Sequence, residues 1–297
     1  MKSIDRQNYT RPKAASLVCI IGVLFLCAAE AWAGTETVLY NFGGKPDGSG
    51  PSNGLVMDSQ GNLYGPTETG GTFGYGCVYK LSPVNNTWQE TVLHSFNSDG
   101  TDGIYPTGQL VIDAQGNLYG TTQNGGPYNQ GTVFQLTPGS GETWTETILH
   151  VFDGRDGATP VGGVVLDGAG NIYGTTAYGG TGGTGVAYEL RKTENRTWKE
   201  AILYNFQGGS DGSTPLSSLV FDSHHHLYGT AEDGGSGGGV VFEIVRSKTG
   251  WTEKVIHTFN GGSDGIFPAT APIMDSAGNL YGATPSGGAR RVGSCLP

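Results

Sequence analysis

Residues 54–65 read GLVMDSQGNLYG, and the chain writes this phrase five times: QLVIDAQGNLYG at 109–120, GVVLDGAGNIYG at 163–174, SLVFDSHHHLYG at 218–229 and APIMDSAGNLYG at 271–282. Its tyrosine falls at Tyr64, Tyr119, Tyr173, Tyr228 and Tyr281, a period of 53 to 55 residues. Each copy pairs two short apolar runs around an Asp-containing turn, and in all but the fourth a glycine there supplies a positive φ, which is a hairpin signal. Asp58, Asp113, Asp167, Asp222 and Asp275 are therefore read as turn residues. A period of this length, with several strands per unit, marks units that bury their apolar faces only by stacking on one another.

Around the hairpin, each unit carries a glycine-rich loop, a GTVFQL-like strand and an ETVLHSF-like strand. In the last of these, Val92, His94 and Phe96 share one face by simple alternation, as do Ile148, His150 and Phe152. No segment has a useful helical period, so the expected fold is all-β. Four strands in about 54 residues fit one propeller blade. Phasing by the chain ends gives five blades, with the N-terminal strand Glu36 to Phe42 closing the last one by supplying its outer strand. The expected repeats span 36–89, 90–145, 146–199, 200–252 and 253–297, the last one truncated. Closure of that kind removes the exposed edges of an open array.

Residues 1–33 read as a signal peptide, with Lys2, Arg6, Arg11 and Lys13 ahead of an apolar run and Ala31-Trp32-Ala33 as the cleavage signature. Removing them leaves residues 34–297 as the mature domain, with 12 basic against 24 acidic side chains and a net charge near −12. Such a surface repels nucleic acid and anionic lipid. The expected location is secreted or extracytoplasmic, with no membrane span in the mature chain and a monomeric state. Cys77 and Cys295 remain after cleavage; they lie out of register on equivalent strands and are not expected to pair.

These elements, LYGTT, GGxxxxGTVF and ETVLYSF-like strands, resemble the tandem GloVer repeat, named for bacterial lineages, over roughly residues 35–293. The resemblance implies an exported bacterial repeat protein of β-propeller-like fold, and it implies no activity. The C-terminal sorting anchors of such proteins are not matched after Gly293.

Strand order places the Asp-Gly-x-x-Pro loops and the glycine-rich loops at one end of every unit. Asp47, Asp102, Asp156, Asp211 and Asp264, each four residues before a proline, form a ring at that end. They are read as turn formers, or as hard oxygen ligands for a cation such as calcium or for a polyol. No cofactor is expected. Phe73, Tyr75, Tyr128 and Tyr178 lie in the same loops at positions the repeat does not require, which makes them the candidate ligand contacts. Trp88, Trp144, Trp198 and Trp251 recur once per unit and are read as packing between units.

His94, His150 and His257 share their slot with Tyr in other copies and are read as half-buried structural residues that do not converge. His224-His225-His226 replaces a turn tip, with no carboxylate partner evident in the sequence. Gly-x-Ser-x-Gly matches at 208–212, 234–238 and 261–265 lead into no helix, and the Gly180 to Gly185 dinucleotide-like pattern enters a strand. The expected function is a non-catalytic binding or surface-interaction module for extracellular carbohydrate or protein. Two readings stand beside it: a secreted propeller enzyme acting on glycan or a small ester, and a structural envelope repeat or fragment of a longer array.

Overall fold

The computed structural model describes residues 36–248 and 250–288, together with the backbone of Ser294–Cys295. The proposed signal peptide and the end of the last repeat lie outside the described residues. The two compact units are Met1–Val38 and Leu39–Pro297, and everything below concerns the second.

The fold is all-β, with one short 3-10 turn at Gly209–Asp211 among the described residues. Four antiparallel sheets follow the repeat. In the second, Val111–Ile112, Leu118–Thr122, Thr132–Pro138 and Trp144–Val151 pair in chain order. The third runs Val165–Leu166, Ile172–Thr176, Val186–Lys192 and Trp198–Asn205, and the fourth Val220–Phe221, Leu227–Ala231, Val240–Ser247 and Gly250–Thr258. The first has the same core, Val56–Met57, Leu63–Gly70, Cys77–Val84 and Thr87–Ser95, with Gly48–Pro51 added beside Leu63–Gly70. This is a β-propeller-like arrangement of blade-sized sheets. The fifth repeat contributes two short pairs, Ile273–Met274 with Leu280–Tyr281 and Ala283–Thr284 with Ser294–Cys295.

Residues 36–42 form no strand, contrary to the expected closing element. The Phe42 ring sits 4.7 Å from Tyr79, edge on. The same contact recurs between successive repeats. Phe96 meets Phe134, Phe152 meets Tyr188 and Phe206 meets Phe242, with centroids 5.0–5.2 Å apart. Phe96, Phe152 and Phe206 are fully buried. Each buried apolar cluster accordingly draws on two repeats. One joins Tyr64 and Val78 to Leu118, Phe134 and Leu136, and the next joins Tyr119 and Val133 to Ile172, Tyr188 and Leu190. No cluster is contained in one repeat, as expected of units that stack.

Simple alternation fails in the outer strands. A bulge in each sheet, between Val78 and Tyr79 in the first and between Val133 and Phe134 in the second, sets two outer-strand residues against one. Leu149 and Leu203, which alternation places off the His and Tyr face, are only 8% and 6% exposed. The hairpin turns behave as read: Asp113 Oδ1 accepts the Gln115 and Asn117 N–H groups, while Oδ2 accepts from Asn117 Nδ2 and the Tyr119 hydroxyl. Asp58 and Asp167 repeat this set. Burial alone raises these carboxyl pKa values, but the donated hydrogen bonds outweigh it and hold all three below the ordinary Asp range.

A second seam is made of backbone. Tyr105, Thr159, Thr214 and Phe267, each before a proline, all have φ between 57° and 63°. Each donates its N–H to a carbonyl in the preceding repeat's glycine-rich loop: Tyr75, Gln130, Thr184 and Gly238, at 2.8–3.0 Å. Left-handed geometry is costly for a β-branched residue such as Thr159, and these cross-repeat bonds hold it in place. The following proline packs on a glycine of the preceding repeat; a Cβ on Gly131 would come within 2.5 Å of Pro160 Cδ and also meet the Thr122 carbonyl.

Two glycines with positive φ separate backbone strain from the seam. Gly116 has open space around it, with Pro138 Cγ the nearest atom at 3.8 Å, whereas Gly131 sits against the next repeat. Gly116→Ala is expected to cost about 1 kcal/mol, the left-handed penalty alone. Gly131→Ala is expected to cost about 3 kcal/mol or more, because its Cβ meets both Pro160 of the next repeat and the Thr122 carbonyl of its own. Urea unfolding midpoints of the two variants check this, and equal costs would mean that close packing at Gly131 adds nothing to the left-handed penalty.

Candidate functional site

The Asp-Gly-x-x-Pro loops and the glycine-rich loops do share one end of each sheet. Gly71 N–H donates to the Asp47 carbonyl and Gly126 N–H to that of Asp102, while Ala158 and Tyr178 exchange N–H···O bonds. Bridges Ser213 to Asp233 and Ile266 to Ser286 repeat the contact.

Within this end the candidate aromatics separate. Phe73, Tyr128 and Tyr178 are 51%, 60% and 52% exposed. Tyr75 is half-buried: it packs on the core cluster containing Phe96 and Leu110, and lies edge-on to Tyr105 at 6.0 Å. Glycine explains the exposure. In the first repeat, Gly70, Gly71, Gly74 and Gly76 all have positive φ, so the loop folds on its own backbone without its side chains. The recurring tryptophans go elsewhere, as read: Trp144 packs edge-on to Tyr64 of the preceding repeat, and Trp198 and Trp251 lie against core clusters.

The aspartates of the Asp-Gly-x-x-Pro loops are tied to the outer strands and turns of their own repeats. Asp47 Oδ2 accepts from the Tyr40 hydroxyl and Gly43 N–H, and Asp211 Oδ2 from the Tyr204 hydroxyl and Gln207 N–H. His150 Nε2 is 3.0 Å from Asp156 Oδ2, and His257 Nε2 is 3.1 Å from Asp264 Oδ1. Asp102 accepts from Asn97 at both its N–H and Nδ2, with His94 Nε2 at 3.4 Å. The shared His and Tyr slot is thereby explained. Either side chain reaches the aspartate of its own following loop, bracing the outer strand against the turn, and the three histidines do not converge.

A glutamate from the next repeat completes each junction: Glu90 beside Asp47, Glu146 beside Asp102, Glu200 beside Asp156 and Glu253 beside Asp211. This is the element missed in the sequence. Its signal was there, since the first position of every outer-strand copy from Glu36 to Glu253 is Glu. Burial, then repulsion from Asp47 or Asp211, pushes Glu90 and Glu253 up to about 7. Glu200 also reaches about 7, through burial opposed by His150 and reinforced by Asp156.

The histidine tract does have carboxylate neighbours. His226 Nδ1 lies 3.2 Å from Asp222 Oδ2 and 3.1 Å from Glu243 Oε1, while His224 is largely exposed and His225 has φ 62° at the turn tip. Glu243 comes from the third strand, which hydrogen-bonds beside the hairpin in a register only the fold reveals. At this opposite end, a cavity of ≈ 600 Å³ opens between the first two hairpin turns, lined by Asp58, Tyr64, Asp113 and Trp144. Cys77 is a buried free thiol whose pKa burial pushes up to about 11, so it is a poor nucleophile.

The junction glutamates set a pH dependence. A folded-state value near 7 lies above the unfolded value of about 4.3, so the folded protein holds protons that the unfolded chain has released. Stability from these groups is therefore present at about pH 4 and lost as pH rises through about 7. Glu253→Gln, a neutral mimic beside Asp211 and Tyr204, is expected to flatten the fall in unfolding midpoint between about pH 5 and about pH 8. Denaturant titrations across that range decide it, and a variant slope as steep as the parent's would remove Glu253 as the titrating group.

Solved structures of similar architecture come from several bacteria. An endo-arabinase from Bacteroides thetaiotaomicron VPI-5482 is 15% identical, with 83% of this chain and 92% of that chain covered and a TM-score of 0.43. An alpha-L-arabinofuranosidase from Lactobacillus brevis is 11% identical, with coverage of 78% and 82% and a TM-score of 0.47. A protein of unknown function from Dyadobacter fermentans DSM 18053 is 13% identical, with coverage of 78% and 70% and a TM-score of 0.47. Likeness at this level carries no chemistry over to this chain. No curated protein matches it. The sequence does match the Gloeobacter/Verrucomicrobia repeat over residues 21–238 and again over 165–296, and with its five-fold phrase and recurring sheets the chain belongs to that repeat family.

Proposed function

We propose that the protein is an exported binding module that presents the glycine-rich loop end of its sheets to an extracellular carbohydrate or protein. The observation that carries this reading is the exposure of Phe73, Tyr128 and Tyr178, large rings held outside the core on three successive repeats. Flat apolar rings stack on the hydrophobic faces of sugars and on apolar protein surfaces. The inward ties of Asp47, Asp156 and Asp211 support binding over general acid and base work, because a carboxylate already bracing a loop is a poor proton carrier for a substrate.

Export accords with the N-terminal sequence and the acidic surface. No helix among the described residues is long and apolar enough to cross a membrane. The buried thiol of Cys77 requires no oxidised partner.

The test is a glycan and protein array probed with the purified protein, with and without calcium, followed by affinity measurements on loop variants. Phe73→Ala, Tyr128→Ala and Tyr178→Ala are each expected to weaken a hit by about tenfold, in line with the loss of about 1.4 kcal/mol per exposed stacking ring, without moving the unfolding midpoint. Tyr75→Ala is expected to lower the midpoint instead. Full retention of binding in a triple Phe73, Tyr128, Tyr178 variant would move the site to another surface, with the hairpin-end cavity next in order.

A further inference from the structure

One junction differs from its copies in a way that burial makes consequential. His94, Asp102 and Glu146 each offer a donor atom, and these atoms all lie within 4.8 Å of one another. They come from an outer strand, the loop that follows it and the outer strand of the next repeat. His94 Nε2 stands 3.4 Å from Asp102 Oδ2 and 3.5 Å from Glu146 Oε2, beyond good hydrogen-bond length to either. Three atoms of the cluster make no hydrogen bond: His94 Nε2, Asp102 Oδ1 and Glu146 Oε1. Asp102 is only 6% exposed, and a buried charged oxygen without a partner is expensive.

The other junctions show what this one lacks. At Asp47 and Asp211 a tyrosine hydroxyl fills the slot and donates to the aspartate at 3.1 and 2.8 Å. At Asp156, His150 Nε2 makes a direct 3.0 Å bond. An orphaned glutamate oxygen recurs at these junctions, at Glu90, Glu200 and Glu253 Oε1, as does an orphaned Asp211 Oδ1. What sets this junction apart is an unpaired His94 Nε2 with a carboxylate of each repeat within 3.5 Å.

The geometry points to a binding site for one divalent transition-metal ion of the zinc type, held by His94, Asp102 and Glu146 across the seam between two repeats. Imidazole plus carboxylates is a donor set that zinc accepts, three protein ligands leave room for water, and two carboxylates neutralise a doubly charged ion. Calcium prefers an all-oxygen set of six to eight ligands, which this cluster does not offer. The ion would satisfy His94 Nε2 and the orphaned carboxylate oxygens beside it and join adjacent repeats through side chains.

Zinc chloride titrated calorimetrically into chelator-treated protein at about pH 7.5 tests this, together with melting curves with and without the metal. The expected result is about one zinc per chain and a raised melting temperature. His94→Tyr copies the Tyr204 junction, keeps a donor to Asp102 and is expected to fold with zinc affinity lowered more than about tenfold and no zinc-dependent rise in melting. Glu146→Gln serves as a second ligand variant if His94→Tyr unfolds. A parallel variant replacing His224, His225 and His226 by Gln, Gly and Asn, the residues of the first hairpin, is expected to retain the site. No uptake by the parent, or uptake kept in the ligand variants and lost from the triple-histidine variant, would overturn the assignment in favour of a proton-filled junction or the exposed tract.

Discussion

The structure depends on a hand-over of one aromatic ring from each repeat to the next. Phe96, Phe152 and Phe206 leave the ends of their own outer strands and finish buried against the third strand of the following repeat. A single repeat of about 54 residues has no core of its own, because its tyrosine and valine positions face a neighbour's phenylalanine and leucine. Edge-to-face geometry adds orientation to burial, fixing the angle as well as the distance between sheets. The left-handed residues before the prolines then stitch backbone across the same seam, so apolar contact and hydrogen bonding cooperate at every junction.

Much of this was legible in the sequence. The hairpin phrase shows its strands, its turn and the Asp, Asn and Tyr that lock it, because those are local interactions between residues two to six apart. The exposed aromatics were legible for a related reason: glycines at positive φ build their loops, so a phenylalanine or tyrosine among them is surplus to the backbone. Tyr75 escaped that logic through a contact with Tyr105, thirty residues on, that no local pattern displays. The outer strand misled because a bulge breaks its alternation, and the sequence carries no mark of the extra residue. Closure by residues 36–42 rested on an outer strand, and among the described residues this segment is not one, although Phe42 keeps the ring contact that the phrase encodes.

The junction chemistry was hidden for a different reason. Asp, His or Tyr, and Glu occupy constant places in the repeat, but each triad is assembled from two copies, and reading one copy at a time separates its members. Once assembled, the triads account for the aspartate ring and the histidine slot together. They also divide the molecule's acids into two populations with opposite behaviour. Hairpin aspartates are held charged by donors, while junction glutamates are pressed toward neutrality by burial and by neighbouring carboxylates.

The left-handed position at the repeat seam has one more implication. Gly50, Tyr105, Thr159, Thr214 and Phe267 place a glycine, a tyrosine, two threonines and a phenylalanine on nearly one backbone geometry, with φ from 57° to 66°. The main-chain bonds fix the direction in which the Cβ leaves at Tyr105, Thr159, Thr214 and Phe267, so the side chain need not itself hold the joint, even where, as at Tyr105, it also packs on a neighbouring ring. Such a slot works as a mounting point: the scaffold sets the position and aim, and the identity of what is mounted can change from repeat to repeat while the joint stays the same.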